Sequence, residues 1–212
     1  MAAIHNALNL VRAFRRSYLT LNVLYYGLIA AAMVYAAFNR PLQQELMENV
    51  LSSFSQGPLA PVWNAYSGGQ LLAAIVLTFV VNLLIGSFVT ITLPSLVIPF
   101  SGLLQGVVRA VLWGLLFSPP TLEVSGAELI QGLLTFILLV MEGQAYVLTM
   151  LAATIQSQAF LFPQSVGTTS RRQGYRVGIK HSLHLYLLVV LQLAVAAIYE
   201  ALVAIVVIPW LD

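Results

Sequence analysis

No cysteine occurs in the chain, which excludes disulfides, thiolate metal sites, iron–sulfur clusters and thiol nucleophiles together. Charge is almost as scarce, at 8% of the 212 residues. With hydrophobic residues at 60%, a soluble domain of this length could not hide its apolar surface, so lipid is the expected solvent. The short alternating segments of an outer-membrane barrel are missing too, and the long apolar runs point to spanning helices. His-Glu-x-x-His, the Walker loop, Gly-x-Ser-x-Gly and Gly-x-Gly-x-x-Gly are all absent. The three histidines, His5, His181 and His184, are expected at the membrane edge, where they can neither clamp a haem from two helices nor serve a buried protease. A non-enzymatic protein follows, with no metal, no cofactor beyond bound lipid, and no nucleic-acid partner.

What is present organises into apolar units separated by polar punctuation. A first span is predicted from about Ser17 to Phe38, ended by Asn39-Arg40-Pro41. The 50 residues from Gly68 to Phe117 are long enough for two spans, with a break predicted in Thr92–Pro99, where two prolines lie five apart. Gly102 and Gly106 then open a span with spacing that allows a second helix to approach closely, as a small-residue stripe or a dimer contact. Residues 129–162 form a fourth unit, about 51 Å long as a straight helix and therefore protruding or interrupted near Glu142-Gly143. A loop over 163–180 precedes a last span at about 181–208. The fold class is thus all-α and polytopic, with about five transmembrane helices, some of them broken.

Two further stretches read as amphipathic helices lying in the membrane interface. In residues 2–16, Ile4, Leu8, Val11 and Phe14 share one face, with His5, Asn9, Arg12 and Arg16 opposite. In 41–56, Leu42, Leu46, Val50 and Phe54 oppose Glu45, Glu48, Asn49 and Ser52, with Trp63 and Tyr66 following as interface anchors. Residues 1–16 are accordingly set apart from a single helical membrane domain over 17–212.

Seven of the nine basic residues fall in two places: Arg12, Arg15 and Arg16, then Arg171, Arg172, Arg176 and Lys180. Five spans put both places on one side, where they would contact anionic headgroups, and put Glu45, Glu48, Glu123, Glu128 and Asp212 on the other. The positive-inside rule then implies a cytoplasmic N-terminus and an outside C-terminus, in what is expected to be a bacterial inner membrane.

Three charged residues lie within the apolar units: Arg109, Glu142 and Glu200. A charge at the bilayer centre costs roughly 2.5–3.5 kcal/mol on insertion scales, so each needs a partner or a cavity. One reading is structural, with Arg109 pairing a glutamate and pinning three helices. The other is transport, with a glutamate exchanging protons or binding an ion near broken backbone. Asn82, Gln144, Gln131 and Gln192 could serve either role.

Three stretches resemble the stage II sporulation protein M family of multi-pass membrane proteins, over roughly two-thirds of the chain. Phe79-Val-Val-Asn82, followed by Gly86 and Thr90, is similar to the family's Asn-bearing span. Leu138 to Ala152 resembles a helix opening with His-Gly-x-x-Glu, and Ala196 to Leu202 resembles a final Ala-x-x-Glu helix that places Glu200 on the family's glutamate. The chain departs at Glu142-Gly143-Gln144-Ala145-Tyr146, where an acid stands in the His position and Tyr146 in that of the Glu. The resemblance implies a non-enzymatic integral membrane component. The expected function is therefore a scaffold subunit bound to lipids and to other membrane proteins or a second copy. A permease or channel subunit using Glu142 or Glu200 is the first alternative, and an accessory subunit of an electron-transfer or light-harvesting complex the second.

Overall fold

The structure is a computed structural model that describes residues 2–119 and 126–210; Glu123 and Asp212, assigned above to the acidic side, lie outside the described residues. Among the described residues all regular structure is helical, and four helices are long and apolar enough to cross a membrane: Arg15–Phe38, Leu71–Val97, Gly126–Leu161 and Arg171–Trp210. A shorter apolar helix covers Ser101–Leu116. The elements are α1 (Ala2–Ala13), α2 (Arg15–Phe38), α3 (Arg40–Gln56), α4 (Ala60–Ser67), α5 (Leu71–Val80), a π-helix (Val81–Thr92), α6 (Leu93–Val97), α7 (Ser101–Leu116), α8 (Gly126–Leu161) and α9 (Arg171–Leu202), with a short second π-helix at Val203–Val207 and 3-10 turns at Pro163–Val166 and Ile208–Trp210.

The spine is α8. From Glu142 to Ala159 nearly every residue is buried, on all faces of the helix, because α9, α2, α7 and the π-helix pack around it. The neighbours each contribute a stripe of helical period: Leu21, Tyr25, Ile29, Ala32 and Ala36 from α2, and Gly178, Ser182, Leu185, Val189, Leu193 and Ala197 from α9. Between lipid-embedded helices such contacts stabilise by close van der Waals packing rather than by escape from water. In α7 the stripe is Gly102, Gly106, Ala110 and Gly114. A methyl on Gly106 would meet the Met150 side chain of α8, and one on Gly114 the Ile29 carbonyl of α2. The spacing that suggested a helix contact is therefore filled from within the chain.

Several expectations are revised in detail. The fourth apolar unit is one helix through Leu161, unbroken at Glu142-Gly143; Gly143 lets the Tyr26 hydroxyl approach, at 2.8 Å from where a Cβ would lie. The break in 92–99 is narrower than the prolines suggested. Helix continues from the π-helix through Pro94 and ends at Val97. The reversal then rests on Phe100, whose φ of 66° is left-handed. Its N–H donates to Ser157 Oγ of α8 at 2.9 Å, while the Gly102 N–H donates to Ser95 Oγ at 2.7 Å. The second half of the 163–180 loop is helical: Ser170 caps α9 by accepting the Gln173 N–H, so Arg171, Arg172, Arg176 and Lys180 occupy its opening turns. The segment over 2–16 bends at Phe14 between α1 and α2, and α1 packs on α9. The connector holds α4 in addition to α3. All seven clustered basic side chains are exposed.

Candidate functional site

The π-helix between α5 and α6 is the local feature that builds the site. Its wider i→i+5 turn is uncommon and, where it occurs, is frequent at functional positions; here it runs for 12 residues. It brings Asn82, Gly86 and Thr90 to the wall of a half-open cavity of about 490 Å³, lined on other sides by α7 and α8 and bordered by Val50 and Phe54 of α3 and Val62 of α4. Arg109, Glu142 and Glu200 all line it. The rest of the lining is mostly apolar, including Ile85, Val108, Leu112 and Leu138, with Thr78, Gln105 and Thr135 as its further polar side chains.

Within the cavity the acids meet each other rather than the base. The Glu142 carboxylate is buried and accepts from Asn82 Nδ2 at 2.7 Å. Its other neighbour is the Glu200 carboxyl, within hydrogen-bonding reach. Glu200 is reached in turn by the Tyr66 hydroxyl of α4, which also shares a hydrogen bond of 3.0 Å with Thr78 Oγ1. Tyr66 and Thr78 thus join a site in which sequence reasoning had not placed them. Tyr66 was readable only as an interface anchor, because nothing in its spacing reports that α4 folds back over α5.

Arg109 forms no ion pair with either glutamate among the described residues. Its guanidinium carbon lies 4.1 Å from the centroid of the Tyr146 ring and 6.0 Å from that of Trp113, and Nη2 donates a long bond, 3.4 Å, to the Gly86 carbonyl. This is a cation–π stack in place of the expected salt bridge. The Tyr146 hydroxyl lies near the guanidinium, but face-on stacking denies it a directed bond. It is buried and, like the Tyr25 hydroxyl, has no hydrogen-bond partner among the described residues.

Gln144 belongs to a different network. Its Oε1 accepts from the Tyr18 hydroxyl at 2.6 Å, and its Nε2 donates to Asn22 Oδ1 at 2.6 Å and to the Tyr26 hydroxyl at 3.0 Å. Two residues along α8 from Glu142, it faces α2 instead of the π-helix, so the expected polar core divides into two. Gln192 donates to the Met141 carbonyl at 3.0 Å and lines a second cavity, of about 440 Å³, with Gln144. His184 Nδ1 donates to the Lys180 carbonyl at 2.7 Å, inside the first turns of α9. Among the described residues no group of three His, Cys, Asp or Glu side chains is placed to hold a metal ion.

No protein-family model, curated protein or solved structure matches this chain. The functional reading therefore rests on the chemistry of the cavity.

Proposed function

We propose that this protein is a permease subunit that exchanges one proton or monovalent cation at the Glu142–Glu200 pair. The observation that carries the reading is the meeting of two carboxyls in a lipid-embedded cavity whose cation is stacked on a ring instead of paired with them. Two carboxyl groups in contact cannot both stay ionised without something between them. With both ionised the cavity holds two negative charges against one positive from Arg109, and a single added cation makes it neutral. A site short by one charge in low dielectric is suited to reversible loading. The π-helical backbone beside it supplies non-standard geometry of the kind found at midplane sites in transporters.

The proposal includes five spans, counting α7. Its 16 residues reach about 24 Å, which a locally thinned bilayer accommodates. It includes α1 and α3 as interfacial helices, a cytoplasmic N-terminus in a bacterial inner membrane, and contact of the two basic clusters with anionic lipid. Kinship with the stage II sporulation protein M family belongs here as well, resting on the stretches around Asn82, Glu142 and Glu200.

A scaffold role is the second reading, supported by the outer part of α8. There Leu129, Ile130, Leu133 and Phe136 are all exposed, and nothing lies within 4 Å of a Cβ built on Gly132. A helix this bare is suited to another membrane protein or a second copy. An assay separates the two. In proteoliposomes carrying an internal pH dye, an imposed pH step should drive proton uptake that Glu142→Gln and Glu200→Gln each abolish. Uptake identical in both variants and the parent protein refutes the permease reading and leaves the scaffold.

A further inference from the structure

We infer that the cavity binds a single-chain amphipathic carboxylic acid, its carboxylate on Arg109 and its chain along the apolar wall. The inference deepens the permease reading by naming a substrate class. It rests on that reading for movement of the acid but not for binding.

The reasoning begins with an imbalance of donors and acceptors. Arg109 lines the cavity, and its one directed hydrogen bond is the long contact to the Gly86 carbonyl. The hydroxyls of Tyr25 and Tyr146 also lack partners among the described residues, but both tyrosines are 0% exposed and neither lines the cavity, so the cavity's own unpaired donor is the guanidinium. The nearby acceptor, Glu142, is already engaged by Asn82 and faces Glu200. A guanidinium so poorly supplied with acceptors is costly, so the spot is short of acceptor oxygens. A planar carboxylate supplies two, in the geometry a guanidinium matches best.

The remainder of the cavity indicates what is attached. Ile85, Val108, Leu112 and Leu138 offer no polar group, and 490 Å³ falls in the range of small-ligand sites, which suits one hydrocarbon chain better than a two-chained phospholipid. Charge supports the same choice. The acid enters as RCOOH, its proton passes to the glutamate pair, and the carboxylate remains on Arg109. Starting from a pair that holds one proton, the loaded site then contains two neutral glutamic acids, one guanidinium and one carboxylate, and is again neutral.

Trp113 lies beside Arg109 and lines the cavity, whereas Trp63 and Trp210 are exposed. With Trp63→Phe and Trp210→Phe, the detergent-solubilised protein reports from Trp113 alone. The probes are dodecanoate brominated on its chain near the carboxylate, and the methyl ester of the same acid. The acid should quench Trp113 saturably, at a half-saturation concentration at least about tenfold below that of the ester, a ratio within what one charge-assisted hydrogen bond provides. Arg109→Gln should abolish the preference and Arg109→Lys keep part of it. Equal quenching by acid and ester in the Arg109 protein overturns the inference, even if the variants fail to fold. A preference that survives Arg109→Gln overturns it as well. Acid preference without glutamate-dependent proton uptake refutes the permease reading alone.

Discussion

Gly86 and Gly132 make opposite predictions for the same substitution. Gly86 lies in the π-helix, where an added Cβ would sit 2.8 Å from the Tyr146 hydroxyl, 3.2 Å from its ring and 3.4 Å from Arg109 Nη2. Tyr146 is fully buried and capped by Trp113 in an edge-to-face contact at 5.3 Å, so it has no room to retreat. Overpacking of this kind costs typically about 1–3 kcal/mol. Replacing a helical glycine by alanine returns about 1 kcal/mol through the backbone, which leaves Gly86→Ala neutral to about 2 kcal/mol destabilising. Gly132, in the bare outer part of α8, has nothing within 4 Å of the same Cβ, so Gly132→Ala should stabilise by up to about 1 kcal/mol. Thermal unfolding in one detergent, followed by the monodisperse fraction surviving each temperature, ranks the two. Ranking is the proper readout because membrane proteins seldom unfold reversibly. Gly86→Ala should melt at or below the parent and Gly132→Ala above it. If Gly86→Ala melts as high as Gly132→Ala, the tight packing of Tyr146 under the π-helix is wrong, and with it the geometry assigned to Arg109.

Other outcomes follow from single contacts. Gln144→Leu strips three hydrogen bonds from Tyr18, Asn22 and Tyr26, and should cost about 1–2 kcal/mol by the same thermal assay; an unchanged melting point would remove that network from the fold's support. Ser157→Ala leaves the left-handed Phe100 without an acceptor for its N–H and should cost about 1–3 kcal/mol, whereas Ser52→Ala, exposed on α3, should be silent. Tyr66→Phe removes a hydroxyl from Glu200 and Thr78 and should slow proton uptake in proteoliposomes several-fold with little change in melting. Uptake at the parent rate would exclude α4 from the site.

Length and punctuation made the helices legible. Asn39-Arg40-Pro41, Pro99 within the 92–99 stretch and the polar segment after Phe117 each lie at a real end, whereas Pro94 does not, since helix runs through it to Val97. Pairings within the site were not legible. Which residues of Val81–Thr92 face α8 depends on a π-register that no sequence period announces. Glu142-Gly143 looked like a break because an acid and a glycine are poor helix centres; close approach of Tyr26 gives the glycine a packing role instead. Arg109 was expected on a carboxylate because charge attraction is the first partner one writes down. An aromatic face four residues before the next small-residue contact of α8, at Tyr146 and Met150, satisfies it differently. Gln144 was grouped with Glu142 by proximity in sequence, although two residues on a helix point to different neighbours.

Helices far apart in sequence touch: α1 packs on α9. The Phe100 N–H likewise finds its acceptor 57 residues later in the chain, at Ser157. A ribosome delivers these partners in order, several residues per second. While the chain is emerging, the turn between α6 and α7 is therefore inserted with an amide still unpaired, and the row of α8 that later meets Leu185 and Val189 is open to the bilayer. The packing around α8 is complete only once α9 is in place, so a chain interrupted before Leu185 would leave that row of α8 bare.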